Sequence, residues 1–140
     1  MPIVSVWLIR TALLHFTVGI ALGAVLLVQK PIPFWPALWL WLPAHVEILV
    51  FGWIIQLVIG VGYWMLPKYP VAPIRGHAGP LWAAWGLLNG GVLLAVAVGA
   101  LGGYALPLLA ARLMELGAVV LFARNVWPRI KPFGEGQPTG

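Results

Sequence analysis

Apolar and polar positions along this chain neither alternate nor recur as a narrow helical stripe. They fall into four long apolar runs separated by short segments rich in proline, glycine and charge. A membrane-crossing helix takes about 20 apolar residues, and four stretches reach that length, at about 4–28, 44–66, 81–101 and 106–126. Pro43, Pro67, Pro80, Pro107 and Pro128 punctuate the run ends, where a missing backbone N–H does least harm. The pattern predicts an all-α fold, an integral membrane four-helix bundle over residues 1–128, followed by a tail at 129–140. That tail is polar and Gly/Pro-rich and is expected to be flexible. The first run is too long for a signal peptide and lacks a clear cleavage site, so it reads as a retained span. The segment after it, KPIPFWPALWLWLP, concentrates Pro and Trp. It is expected at the lipid headgroups, where indole rings prefer to sit.

Composition removes the soluble alternative. Of 140 residues, 62% are hydrophobic and 8% charged, with a mean hydropathy of +1.00. A soluble fold this small leaves too much surface exposed to hide such a sequence. The absence of cysteine excludes disulfides, thiolate metal sites and covalent c-type haem attachment. The net charge of +5 does not point to nucleic acid, because the basic residues sit at span edges rather than along one soluble face. Lys68, Arg75, Arg124, Arg129 and Lys131 fall on one side of a four-span chain, with Arg10 in the nearest part of the first span; Lys30 falls on the other side. Positive-inside bias then predicts both termini in the cytoplasm of a bacterial or archaeal inner membrane, with His45 opening the second span from the outer side. Gly19/Gly23, Gly86/Gly90 and Gly99/Gly103 are small-xxx-small pairs that let helices approach closely, in a bundle or an oligomer.

Ionisable groups inside spans are costly and need a reason. They are Arg10, His15, His45, Glu47, Arg112 and Glu115, with Thr11, Thr17, Gln56 and Asn89 adding neutral polarity. His45 admits two readings. It is either an interfacial histidine bonded to headgroups or a loop carbonyl, or an axial ligand of b-type haem, which needs no covalent attachment. Gly52 lies seven residues on, on the same helical face, and offers the low relief a flat macrocycle needs; Gln56 continues that face.

The stretch LPAHVEILVFGWIIQLVIGVGYWMLPKYP resembles the second transmembrane helix of the haem-copper oxidase subunit I superfamily, including the nitric oxide reductase large subunit and short four-helix subunit-I-like proteins. The shared pattern is an outer-side histidine, a run with Phe-Gly-Trp, then Gly-x-x-Tyr and Leu-Pro at the inner end. RTALLHFTVGIALGAVLL resembles the first helix of the short proteins. The resemblance covers about the first 70 residues well and the remaining spans loosely. It implies that His45 is an axial ligand of a low-spin haem b. It does not extend to a complete oxidase. The copper and high-spin haem centre needs several more histidines than His15, His45 and His77, the three this chain has.

Further positions have a plain and a functional reading. His15 is expected to be a core residue bonded to Thr11 or another helix, with a haem-binding role as the alternative. It differs from His45 in depth by roughly 15 Å at the helical rise, so the two are poorly placed to share one iron. A two-fold homodimer, with His45 of both copies at equal depth, solves the ligand count. A five-coordinate haem open to O₂, NO or CO is the other solution. Arg112 and Glu115 form an i, i+3 pair, or Arg112 binds a haem propionate while Glu47 neutralises it or faces a neighbouring chain. Arg10 is expected to snorkel, and Gln56 and Asn89 to bond between helices. His77 reads as a solvated loop residue.

The sequence thus leads to a small b-type haem protein for electron transfer or diatomic gas binding, working in the bilayer with a redox partner or respiratory complex. The competing expectation is a cofactor-free structural or assembly subunit of such a complex. A transporter is disfavoured by the absence of inverted repeats and broken helices. No acid–base pair or nucleophile constellation marks an enzyme.

Overall fold

The structure, a computed structural model, describes residues 1–32, 34–69, 74–102 and 104–130. Lys131, Gly103 and nearly all of the expected flexible tail lie outside the described residues. The described residues are helical and contain no strand. Four helices are long and apolar enough to cross a membrane: Ile3–Val28, Pro36–Met65, Gly79–Ala100 and Ala105–Arg129. They are called the first to fourth spans below.

The second span starts well before the expected residue 44. A 3₁₀ turn, Pro36–Trp41, runs directly into the α-helix Leu42–Glu47. Pro36 and Pro43 sit in first turns, where the N–H they lack would have had no partner. Half of the Pro/Trp segment is therefore helix rather than loop. The span continues as a π-helix, Ile48–Ile55, and returns to α-helix over Gln56–Met65. Extended backbone at Leu66, ahead of Pro67, ends it. π-Helical stretches are rare and concentrate at functional sites. This one begins one residue after Glu47.

The first span packs on the second, the second on the third, and the third most extensively on the fourth. Glycine permits the closest approaches. A Cβ at Gly91 would stand 3.0 Å from the Ala111 carbonyl oxygen of the fourth span, and one at Gly60 would stand 2.9 Å from Leu8 Cβ. Of the small-residue pairs, Gly19/Gly23 lies wholly under the second span, whereas Gly86 and Gly99 face open space.

Val4, Leu8, Ile59, Tyr63, Leu81, Leu88 and Val126 belong to the principal core. Most of it lies in the half of the bundle nearest the N-terminus. Outside it the polarity is inverted relative to a soluble protein: Leu13, Leu27, Leu93, Leu106, Leu113 and Leu116 are all exposed. Only 17% of the most apolar window in the first and fourth spans is buried, against 39% in the second and third. Uncovered apolar surface on this scale suits lipid or a partner helix.

Polar side chains tie the bundle together around Thr11. Gln56, fully buried, donates from Nε2 to the Leu8 carbonyl (3.2 Å) and to Thr11 Oγ1. Trp85 Nε1 of the third span donates to the same hydroxyl at 3.2 Å. Thr11 thereby joins three spans. Asn89, expected to bond across helices, instead donates to the Trp85 carbonyl in its own helix at 2.7 Å.

Candidate functional site

His45 sits in the short α-helix Leu42–Glu47, which follows the opening 3₁₀ turn of the second span. Its half-buried ring faces the first span. Nδ1 lies 2.8 Å from the Gly19 carbonyl oxygen. A carbonyl only accepts, so Nδ1 carries the proton, and in the neutral tautomer of that bond the lone pair is on Nε2. The ring lies against Gly23, where a Cβ would come within 2.5 Å of His45 Cε1. Nε2 makes no hydrogen bond among the described residues and is not buried. One ring nitrogen is thus fixed to a carbonyl and the other is without a hydrogen-bond partner among the described residues.

His45 borders an apolar cavity of about 580 Å³, lined also by Leu42, Leu49 and Trp39 of the second span, Gly23, Ala24 and Leu27 of the first, and Lys30 just beyond it. No lining residue comes from the third or fourth span. The cavity therefore lies on the outer flank of the first two spans, not inside the bundle.

Gly52 has a different surrounding from the one expected. Its low relief is covered by His15 of the first span; a Cβ there would stand 2.7 Å from His15 Cγ. The expectation that Gly52 offers a bed for a macrocycle is corrected on this ground: the bed is filled by an imidazole of the same chain. His45, Gly52 and Gln56 all turn toward the first span. That face is occupied by helix packing rather than free.

His15 is half-buried and its Nδ1 is enclosed with no hydrogen-bond partner among the described residues. Gly19 and Gly23, which mark the level of the His45 ring, lie farther along the same helix by about 6–12 Å. The structure thus keeps the two imidazoles apart in depth. His77 is exposed, and only its backbone carbonyl is engaged, accepting from Asn125 Nδ2 at 3.2 Å.

Arg112 is also differently employed. It donates to both oxygens of Glu47, at 2.8 and 2.7 Å, and to Glu115 Oε2 at 2.6 Å. The fork geometry suits a planar guanidinium. Its face also lies over the Phe51 ring, 5.5 Å from the centroid. Both terminal nitrogens are engaged by carboxylates, so a propionate role for Arg112 is not supported within this chain. Glu47 and Glu115 are nearly inaccessible, at 8% and 2% side-chain exposure, while Arg112 is at 43%. The cluster borders a second cavity, of about 610 Å³, at the same end of the bundle, between the second span and the ends of the third and fourth. The i, i+3 pair expected from sequence is present, enlarged by Glu47.

One residue with a structural role was missed. Arg129 was counted only as an edge charge, yet it is 3% exposed. Its guanidinium donates to the carbonyls of Tyr63, Leu66 and Pro67 at 3.0, 2.8 and 2.7 Å and lies over the Tyr63 ring. It caps the C-terminal end of the second span, where carbonyls are orphaned and a cation is favoured. The signal was present in sequence as Leu66-Pro67, a helix end in need of donors.

Among the described residues no three His, Cys, Asp or Glu side chains converge on a common point. The described residues thus form no bare-ion site of the usual kind. The chain matches no protein-family model, no curated protein and no solved structure.

Proposed function

We propose that this chain is a small b-type haem protein of the bacterial or archaeal inner membrane. His45 would be the axial ligand, and both termini would face the cytoplasm. The observation that carries the reading is the His45 imidazole itself. Its Nδ1 is tied to the Gly19 carbonyl, its ring is bedded on Gly23, its Nε2 has no hydrogen-bond partner among the described residues, and the residue lines an apolar cavity. The resemblance of the second span to that of the oxidase subunit I superfamily supports the same assignment.

When bound, the haem supplies one-electron chemistry or a site for a diatomic gas. The chain's own residues do the rest. Gly19 fixes the tautomer, Gly23 allows the ring to lie flat, and Leu27, Leu42 and Leu49 keep water from the site. Because the cavity is walled only by the first two spans, a second protein ligand would come from outside this chain. A homodimer with two His45 side chains about one axis meets that need.

Reduced-minus-oxidised visible spectra of the purified protein test the proposal. A b-type spectrum is expected, and His45→Ala is expected to abolish haem retention while leaving the helical signal intact. A colourless wild-type preparation from haem-replete cells defeats it.

A second reading has an observation in its favour. The intramembrane acids satisfy themselves on Arg112, as they would in a cofactor-free structural subunit of a respiratory complex. Such a subunit would purify colourless and in fixed stoichiometry with its complex.

A further inference from the structure

The cavity beside His45 has two titratable residues in its lining, His45 and Lys30. They face it from different elements. His45 projects from the second span, and Lys30 from the turn that closes the first, where its backbone N–H donates to the Leu27 carbonyl at 3.1 Å. Gln29, next to it, is 2% exposed and accepts from the Trp35 N–H at 3.1 Å, which fixes the start of the connection.

Lys30 has no anionic partner among the described residues. The two carboxylates described, Glu47 and Glu115, are both engaged by Arg112. The sequence's one other acid, Glu135, lies outside the described residues, in the tail. At this end of the bundle, then, an ammonium stands at the rim of an apolar cavity with its countercharge unsupplied. The His45 ring is level with Gly19 and Gly23. Lys30 follows Gly23 by about 10 Å at the helical rise. That separation is comparable to the span from the centre of a porphyrin to its propionate carboxylates.

We infer that Lys30 recognises a propionate of the haem held by His45, in the role the sequence had suggested for Arg112. The inference rests on the haem reading above. It gives the ligand a direction: apolar ring edge toward Ile20 and Leu49, carboxylate edge toward Lys30 and the headgroup level. An ammonium is a flexible point charge rather than a fork, so Lys30 would hold one carboxylate without imposing a fixed geometry.

The test uses the full chain in detergent, loaded either with haem b or with its dimethyl ester, whose propionates carry no charge. Haem release to an excess of a scavenging protein is timed for wild type, Lys30→Gln and Lys30→Arg. With haem b, Lys30→Gln is expected to release roughly two- to fivefold faster, the size of effect an accessible ion pair gives, and Lys30→Arg close to wild type. With the dimethyl ester the three chains should release alike. Equal rates for wild type and Lys30→Gln with haem b would overturn the Lys30 assignment and leave the His45 site standing. A wild-type chain that takes up no haem defeats both. A Lys30-dependent loss of co-purifying phospholipid phosphate, with haem release unchanged, would assign the lysine to a lipid headgroup and overturn the inference.

Discussion

A single methyl group decides how the His45 ring sits. At Gly23 an added Cβ would stand 2.5 Å from Cε1, 3.1 Å from Nδ1 and 3.2 Å from Nε2 of His45. The ring must therefore tilt or withdraw, and withdrawal costs the bond to the Gly19 carbonyl. Gly23→Ala is expected to lower haem per chain severalfold while leaving helical content unchanged. Gly99→Ala, where the added carbon meets nothing within 4 Å, should leave haem content untouched; pyridine haemochrome assays on the pair separate the two. Arg112 answers to a different logic. Removing one partner of a buried ionic cluster leaves charge without compensation, at about 3–5 kcal/mol. Exposure of the guanidinium at 43% reduces this, to about 2 kcal/mol. Arg112→Met is expected to lower the thermal unfolding midpoint. Glu115→Gln, which keeps shape and one acceptor, should lower it less. Neither should alter haem release if Lys30 rather than Arg112 meets the propionates.

At the scale of elements, hydropathy located the four spans because lipid-facing and core-facing positions are both apolar, so run length alone carries the signal. It could not locate the π-helix at Ile48–Ile55, since a wider turn has no composition of its own. Nor did it show that the Pro/Trp segment joins the second span, because Pro in a first turn reads the same as Pro in a loop. Arg129 illustrates what composition hides: a charge near a span end was taken as a topological marker, whereas its three carbonyl contacts make it a cap on another helix. Arg129→Gln removes the charge and leaves carbonyls at the end of Gln56–Met65 without donors. Hydrogen bonds to charged groups contribute about 1.5–3 kcal/mol each, not additively. A loss of about 2–4 kcal/mol is expected, with faster amide exchange confined to the last turn of the second span and the end of the fourth.

For the whole molecule, the site faces outward. One wall of the His45 cavity is built by the first two spans, and the described residues supply no opposite wall. The first span is also among the least buried. His45 was legible as a candidate because an imidazole in an oily helix is rare. The identity of whatever covers it was not, because an apolar face reads alike whether lipid or protein lies against it. The dimer proposal makes a sharper statement than lipid does. If two His45 side chains share one iron, the haem-to-chain ratio is one to two. Dilution in detergent should then release haem and dissociate the dimer together, and carbon monoxide should leave the ferrous spectrum almost unchanged. A ratio of one to one with a large carbon monoxide shift instead describes a monomeric, five-coordinate haem, with lipid as the missing wall. Analytical ultracentrifugation monitored in the haem absorption band distinguishes these directly, because it weighs only the species that carries the pigment. A pigmented species of twice the chain mass, lost in His45→Ala, is the expected result.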